Sequence, residues 1–179
     1  MAPQRPHRSG VPGVGALGRR GSDRRADNVA FGRNDCGLRA DLNLRQRYAG
    51  PTDRRAGIDA AGRCTGHDKR NVVSFGPLPE EMLAVACVWR TDGTIVEADI
   101  VISDTAGLFF LVRPDRCVAQ WDLEGTLTHE FGHVFGLGHV PNAAHGALTM
   151  SDGLPGCSTD ARSLGLGDYL ALRARYRRW

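Results

Sequence analysis

An α+β fold is the class this sequence predicts, and two observations carry it. Three runs rich in β-branched and apolar residues crowd into residues 71–103. Two stretches with helical periodicity follow, one over 122–135 and one at the C-terminus. With 179 residues, 41% of them apolar, the chain can build one domain with a real core, and little is left for a second.

Residues 1–33 are expected to be a disordered, Arg-rich segment, which leaves 34–179 as the folded domain. The first 27 residues hold six arginines against Asp23 and Asp27. "VPGVGALG" (11–18) is broken by Pro12, Gly13 and Gly15, so it serves neither as a signal-peptide core nor as a membrane span. No aromatic residue interleaves with the arginines, and a net charge of +3 is mild. Both argue against a nucleic-acid-binding arm.

"RADLNLRQRYAG" (39–50) reads as a short helix ending at Gly50, with Pro51 beyond it. "NVVSF" (71–75) is a strand, "GPLPEE" (76–81) a turn and "MLAVACVW" (82–89) a second strand. "TDGT" (91–94) supplies an Asp-Gly turn into "IVEADIVIS" (95–103), a third strand. These make an antiparallel hairpin beside another strand. Residues 104–120 are less regular. "DLEGTLTHEFGHVF" (122–135) is a helix with Asp122 as N-cap, and Leu123, Leu127, Phe131 and Val134 form its core-facing stripe. Residues 136–160 read as loop. "LGLGDYLALRARYRRW" (164–179) is a final helix with Tyr169, Leu172 and Tyr176 on one face and arginines toward its C-terminal end.

The five cysteines, Cys36, Cys64, Cys87, Cys117 and Cys157, form no C-x-x-C pair, so neither a cysteine zinc cluster nor a redox motif is read. Their wide scatter fits one or two disulfides in an oxidising compartment, with at least one thiol left over. Cys36 with Cys64 is the expected pair, although spacing alone does not fix pairing. His67 and His145 are expected at the surface, and Trp89 and Trp121 in the core.

The chemistry concentrates in "THEFGHVFGLGHV" (128–140). His129 and His133 are four residues apart on the predicted helix, so both imidazoles lie on one face, about 6 Å apart along the axis. Such a pair can reach one zinc ion. Glu130 follows the first ligand and is placed to act on a metal-bound water rather than to ligate. Gly136 comes where the helix must end, and the turn there brings His139 back toward the ion. Three imidazoles and an open position are what a catalytic zinc uses. His-Glu-x-x-His alone arises by chance in about 2% of chains this long; the longer His-Glu-x-x-His-x-x-Gly-x-x-His does so at about 10⁻⁴ to 10⁻⁵.

Residues 129–139 resemble the zinc signature of the metzincin metalloproteases, and "ALTMSDG" (147–153) supplies Met150 for that family's Met-turn. Over roughly 34–179 the order of segments is most similar to bacterial secreted members of matrixin-like type. The resemblance implies a twisted, mostly parallel sheet with an antiparallel edge strand, an active-site helix and a C-terminal helix behind it. It implies a secreted, monomeric zinc endopeptidase with Glu130 as general base, acting on protein or peptide substrates laid along the 82–89 strand, with no nucleic-acid or membrane partner. Two residues after the methionine stands Asp152, where related families place a metal-side tyrosine or a proline. No histidine lies between His67 and His129, so a second, structural zinc is not expected. Calcium through Asp99, Asp104 or Asp115 is left open. Family members also carry a secretion signal, a strand and a helix ahead of this region, so a shortened or wrongly started N-terminus is expected here. A zinc-binding but inactive or truncated metzincin-like fragment is the competing reading.

Overall fold

The computed structural model describes residues 26–176, except 40, 41, 43 and 106. The expectation of disorder for 1–25 lies outside the described residues. Residues 26–30, from the same expected segment, are helical (α1), and Val29 and Ala30 are fully buried.

The main sheet has three strands in the order β1-β3-β2: β1 (Val73–Gly76), β2 (Ala84–Thr91) and β3 (Thr94–Ser103). β1 runs parallel to β3, and β2 runs antiparallel to it. The sheet is therefore small and mixed rather than mostly parallel. The β2–β3 hairpin turns through Asp92 (φ 49°) and Gly93 (φ 76°), the paired left-handed conformation that an Asp-Gly turn supplies. A separate parallel pair joins β4 (Phe109–Phe110) to β5 (Trp121–Asp122).

β5 leads directly into α2 (Leu123–Val134). Asp122 caps it, accepting the Gly125 N–H at 2.8 Å, and receives a bidentate pair from Arg162 at 2.7 and 2.8 Å. α2 lies between two apolar layers. Leu123 and Leu127 pack with Ile100 and Ile102 of β3. On its other side, Phe131 packs against a cluster of Val29, Leu164, Tyr169 and Leu172. That second cluster joins α1 to the C-terminal helix α4 (Leu166–Tyr176). Between them come α3 (Asn142–His145) and a 3-10 turn, Asp160–Arg162, inside the stretch read as loop.

Two sequence expectations fail for identifiable reasons. The described residues of 39–50 form no helix: Leu42 and Leu44 send their N–H groups to the carbonyls of Phe31 and Ala30 at the end of α1. Backbone groups spent there cannot close helical turns. The expected Cys36–Cys64 bridge is also wrong. Cys64 pairs with Cys87, Cys117 pairs with Cys157, and Cys36 is a free thiol whose S–H reaches Asn34 Oδ1. Cys87 sits opposite Asp99 on β3, and Asp99 accepts N–H groups from Gly57 and Val72. The segment carrying Cys64 thus lies over the sheet face that Cys87 points to, whereas Cys36 belongs to a turn paired with Leu164. Two disulfides place the chain in an oxidising environment. No helix among the described residues is long and apolar enough to cross a membrane.

Candidate metal centre

α2 presents His129 and His133 one turn apart, and the chain after it returns His139. The α2 terminus is a Schellman motif: Gly136, at φ 92°, sends its N–H to His133 O, and Leu137 sends its own to Gly132 O. This turn also delivers an acceptor, because Leu137 O takes the His133 Nδ1–H at 3.0 Å. On the other side, Thr149 O takes the His129 Nδ1–H at 2.7 Å. Both carbonyls fix their rings in the tautomer that leaves Nε2 as a bare lone pair.

The Nε2 atoms then converge. His129 and His139 approach to 3.0 Å, His133 and His139 to 3.0 Å, and His129 and His133 to 3.2 Å. The His129–His133 contact holds no proton, so two acceptors face each other at hydrogen-bond distance, an arrangement that a shared cation relieves. A tetrahedral zinc set with bonds of 2.0–2.1 Å has nitrogens about 3.3 Å apart, close to this triangle. Burial lowers the His129 imidazole to about 4 and lowers His133 as well, so neither competes for the site as a cation at neutral pH. These three residues could hold a metal ion such as zinc. No other group of three metal-ligating side chains is brought together among the described residues. Asp99, Asp104 and Asp115 do not cluster, and the Asp99 oxygens are occupied by backbone N–H groups.

Glu130 is buried beside the triad. Burial pushes its carboxyl up to about 8, against a bond from the Ala86 N–H of β2. A cation on the neighbouring nitrogens would favour its carboxylate. Glu130 and the three histidines face a cleft of about 720 Å³ whose opposite wall is β2, the outer strand of the sheet, with Ser151–Leu154 closing one end.

Met150 is buried beneath α2, and a Cβ on Gly132 would lie 2.2 Å from its sulfur. Glycine at 132 therefore sets how closely the 149–150 turn approaches the helix. That turn is fastened by Asp168 of α4, whose carboxylate takes the N–H groups of Thr149 (2.8 Å), Gly165 (3.2 Å) and Met150. The path from Asp168 through Thr149 ends on His129. Asp152 accepts the Asn142 N–H at 2.8 Å and caps α3. His145 is exposed, and Trp121 lines the cleft instead of joining the core.

The sequence reading missed Gly132 and Asp168. Gly132 had a visible signal, since glycine in mid-helix costs stability unless something needs the space. Asp168 had none, because an aspartate in a first helical turn is ordinarily explained by the helix dipole. No known family model matches the chain, and no curated protein matches it significantly.

Proposed function

We propose that the chain is a secreted, metzincin-like zinc endopeptidase acting on protein or peptide substrates as a monomer. The observation that carries this reading is the convergence of three Nε2 atoms with a buried carboxylate at a cleft walled by an outer strand edge. His129, His133 and His139 would hold the zinc, which supplies Lewis acidity and makes water a usable nucleophile near neutral pH. Glu130 takes the proton from the attacking water at its carboxylate and returns it to the leaving amine. The edge of β2 hydrogen-bonds an extended peptide as a further strand and so aligns the scissile bond with the triad. Met150 underlies the triad and keeps the ligand turn at a fixed height. The two disulfides support secretion.

The zinc-loaded protein should cleave a peptide mixture, stop on chelation and recover when zinc is restored. Glu130→Ala should keep one zinc per chain and lose turnover about 10²- to 10⁴-fold. Stoichiometric zinc with no cleavage by the unsubstituted protein would mark an inactive metal-binding module. Full turnover in Glu130→Ala would remove that residue from the proton-transfer role.

A further inference from the structure

A second cavity, of about 290 Å³, adjoins the cleft, and Trp121, Thr126 and Leu154 line both. The Trp121 indole N–H donates to Leu154 O at 3.1 Å and fixes this shared wall. The Thr126 hydroxyl stands on the same wall, one helical turn before His129. It is the buried side-chain polar atom that finds no hydrogen-bond partner among the described residues. An unpaired buried hydroxyl costs about 1–3 kcal/mol, so its persistence calls for a ligand group that completes it.

The rest of the lining shows what that group is. Leu148, Pro155 and Ala161 give the cavity apolar sides. Asp35 and Asp160 line it but not the cleft, so they lie away from the entrance. Asp122 also lines it, already spent on Arg162 and Gly125. No Lys, Arg or His faces the space. Asp35 and Asp160 are exposed, and nothing neutralises them from within the lining. The volume sits at the bottom of the range for ligand pockets, about 300 Å³, which suits one long side chain.

We infer that this cavity is a specificity pocket for a long cationic side chain of the substrate, arginine ahead of lysine. The inference rests on the endopeptidase reading and names the class of substrate it acts on. An arginine stem would pass between Trp121 and Leu154 with its methylenes against the apolar sides. Its Nε–H would donate to Thr126 Oγ1, and its terminal fork would reach Asp35 and Asp160. Lysine has no mid-stem donor and would leave the threonine unpaired.

Cleavage sites in a randomised peptide library, read by mass spectrometry, test this. Arginine should be enriched about tenfold over leucine at one fixed position beside the cut, with lysine between them. Thr126→Val and Asp160→Asn should each lower the arginine-to-leucine ratio of kcat/KM several-fold. Enrichment of apolar or acidic residues there, or none at all, would overturn the inference while leaving the endopeptidase reading standing. Should nothing be cut, that reading falls, and the pocket is judged on binding to zinc-loaded Glu130→Ala protein. N-acetyl-arginine methylamide binding at least several-fold tighter than the leucine analogue, and losing that margin in Thr126→Val, upholds the pocket. Equal binding of the two refutes it.

Discussion

Two loop systems flank the sheet and α2, and both are held by buried carboxylates that accept backbone N–H groups. Beneath the triad, Asp168 gathers Thr149, Met150 and Gly165. Across the far face of the sheet, Glu97 receives Asp68 and Lys69, and Asp99 receives Gly57 and Val72. The difference lies in what else secures them. The outer loop is also stapled by Cys64–Cys87. The turn beneath the triad has no covalent tie and depends on one aspartate and on the contact of Met150 with Gly132. Order at the metal centre is thus concentrated in few residues, whereas order over the sheet is shared.

Asp168→Ala should break that concentration with the largest effect. It strands three backbone donors in the interior, at on the order of 3–5 kcal/mol of unfolding free energy in total. It also releases Thr149, whose carbonyl aims His129, so zinc affinity should fall about 10- to 100-fold. Urea unfolding and a competitive zinc titration read the two effects separately. An unchanged zinc affinity would mean that the Thr149 carbonyl is positioned by something other than Asp168.

Removing the staple is the matching cut on the other side. Cys64→Ser with Cys87→Ser opens a bridge of sequence separation 23. Its loss should cost about 3 kcal/mol by chain-entropy arguments. No histidine ligand touches this bridge, so zinc affinity should stay within about twofold. A large loss of affinity would show that the two regions are coupled through β2, where Cys87 neighbours the Ala86 that contacts Glu130. The same protein settles the pairing. Unreduced chain should alkylate at Cys36 alone, and reduction should expose four further thiols.

Gly132→Ala is the finer probe of the metal side. The added carbon would meet Met150 Sδ at 2.2 Å, and a buried thioether with the helix against it can yield only by moving the turn. Overpacking of this kind costs about 1–3 kcal/mol, partly offset by the better helix propensity of alanine. Zinc affinity should fall less than in Asp168→Ala, because the carbonyl of Thr149 shifts but keeps its fastening. Met150→Ala in the Gly132→Ala background should recover part of the loss.

The same contrast marks how much the sequence could disclose. The triad was legible because its ligands lie within eleven residues, and local geometry alone nearly assembles them. The hairpin was legible for the same reason, through Asp92-Gly93 between two β-rich runs. What escaped was non-local. The failed helix at 39–50 loses its backbone bonds to α1, residues that composition had assigned to disorder. Asp168 acts on a turn 19 positions away. Cys87 finds Cys64 only because Glu97 and Asp99 hold the intervening loop on one face of the sheet. No periodicity encodes that.

The smallest effect is one of pH, and it asks whether both clamps work in the same way. Burial raises the Asp99 carboxyl above 3.8, outweighing the two N–H bonds, and the nearby Glu97 and Asp68 charges push the same way. Asp168 is raised too, again chiefly by burial. The sign follows directly. Below pH 3.8 folded and unfolded chains both hold the proton. As pH climbs through 3.8 toward the raised folded value, the unfolded chain releases it first, so stability falls and then levels off. Asparagine has no such proton, so the stability margin of the unsubstituted protein over Asp99→Asn should shrink across this window, and likewise over Asp168→Asn. Urea unfolding of metal-free protein at closely spaced pH values measures both margins. A margin that widens with pH for Asp168 and shrinks for Asp99 would separate the clamps. The turn beneath the triad would then be held by a true carboxylate in which three N–H bonds overcome burial, and the loop over the sheet by a carboxylic acid in which two do not.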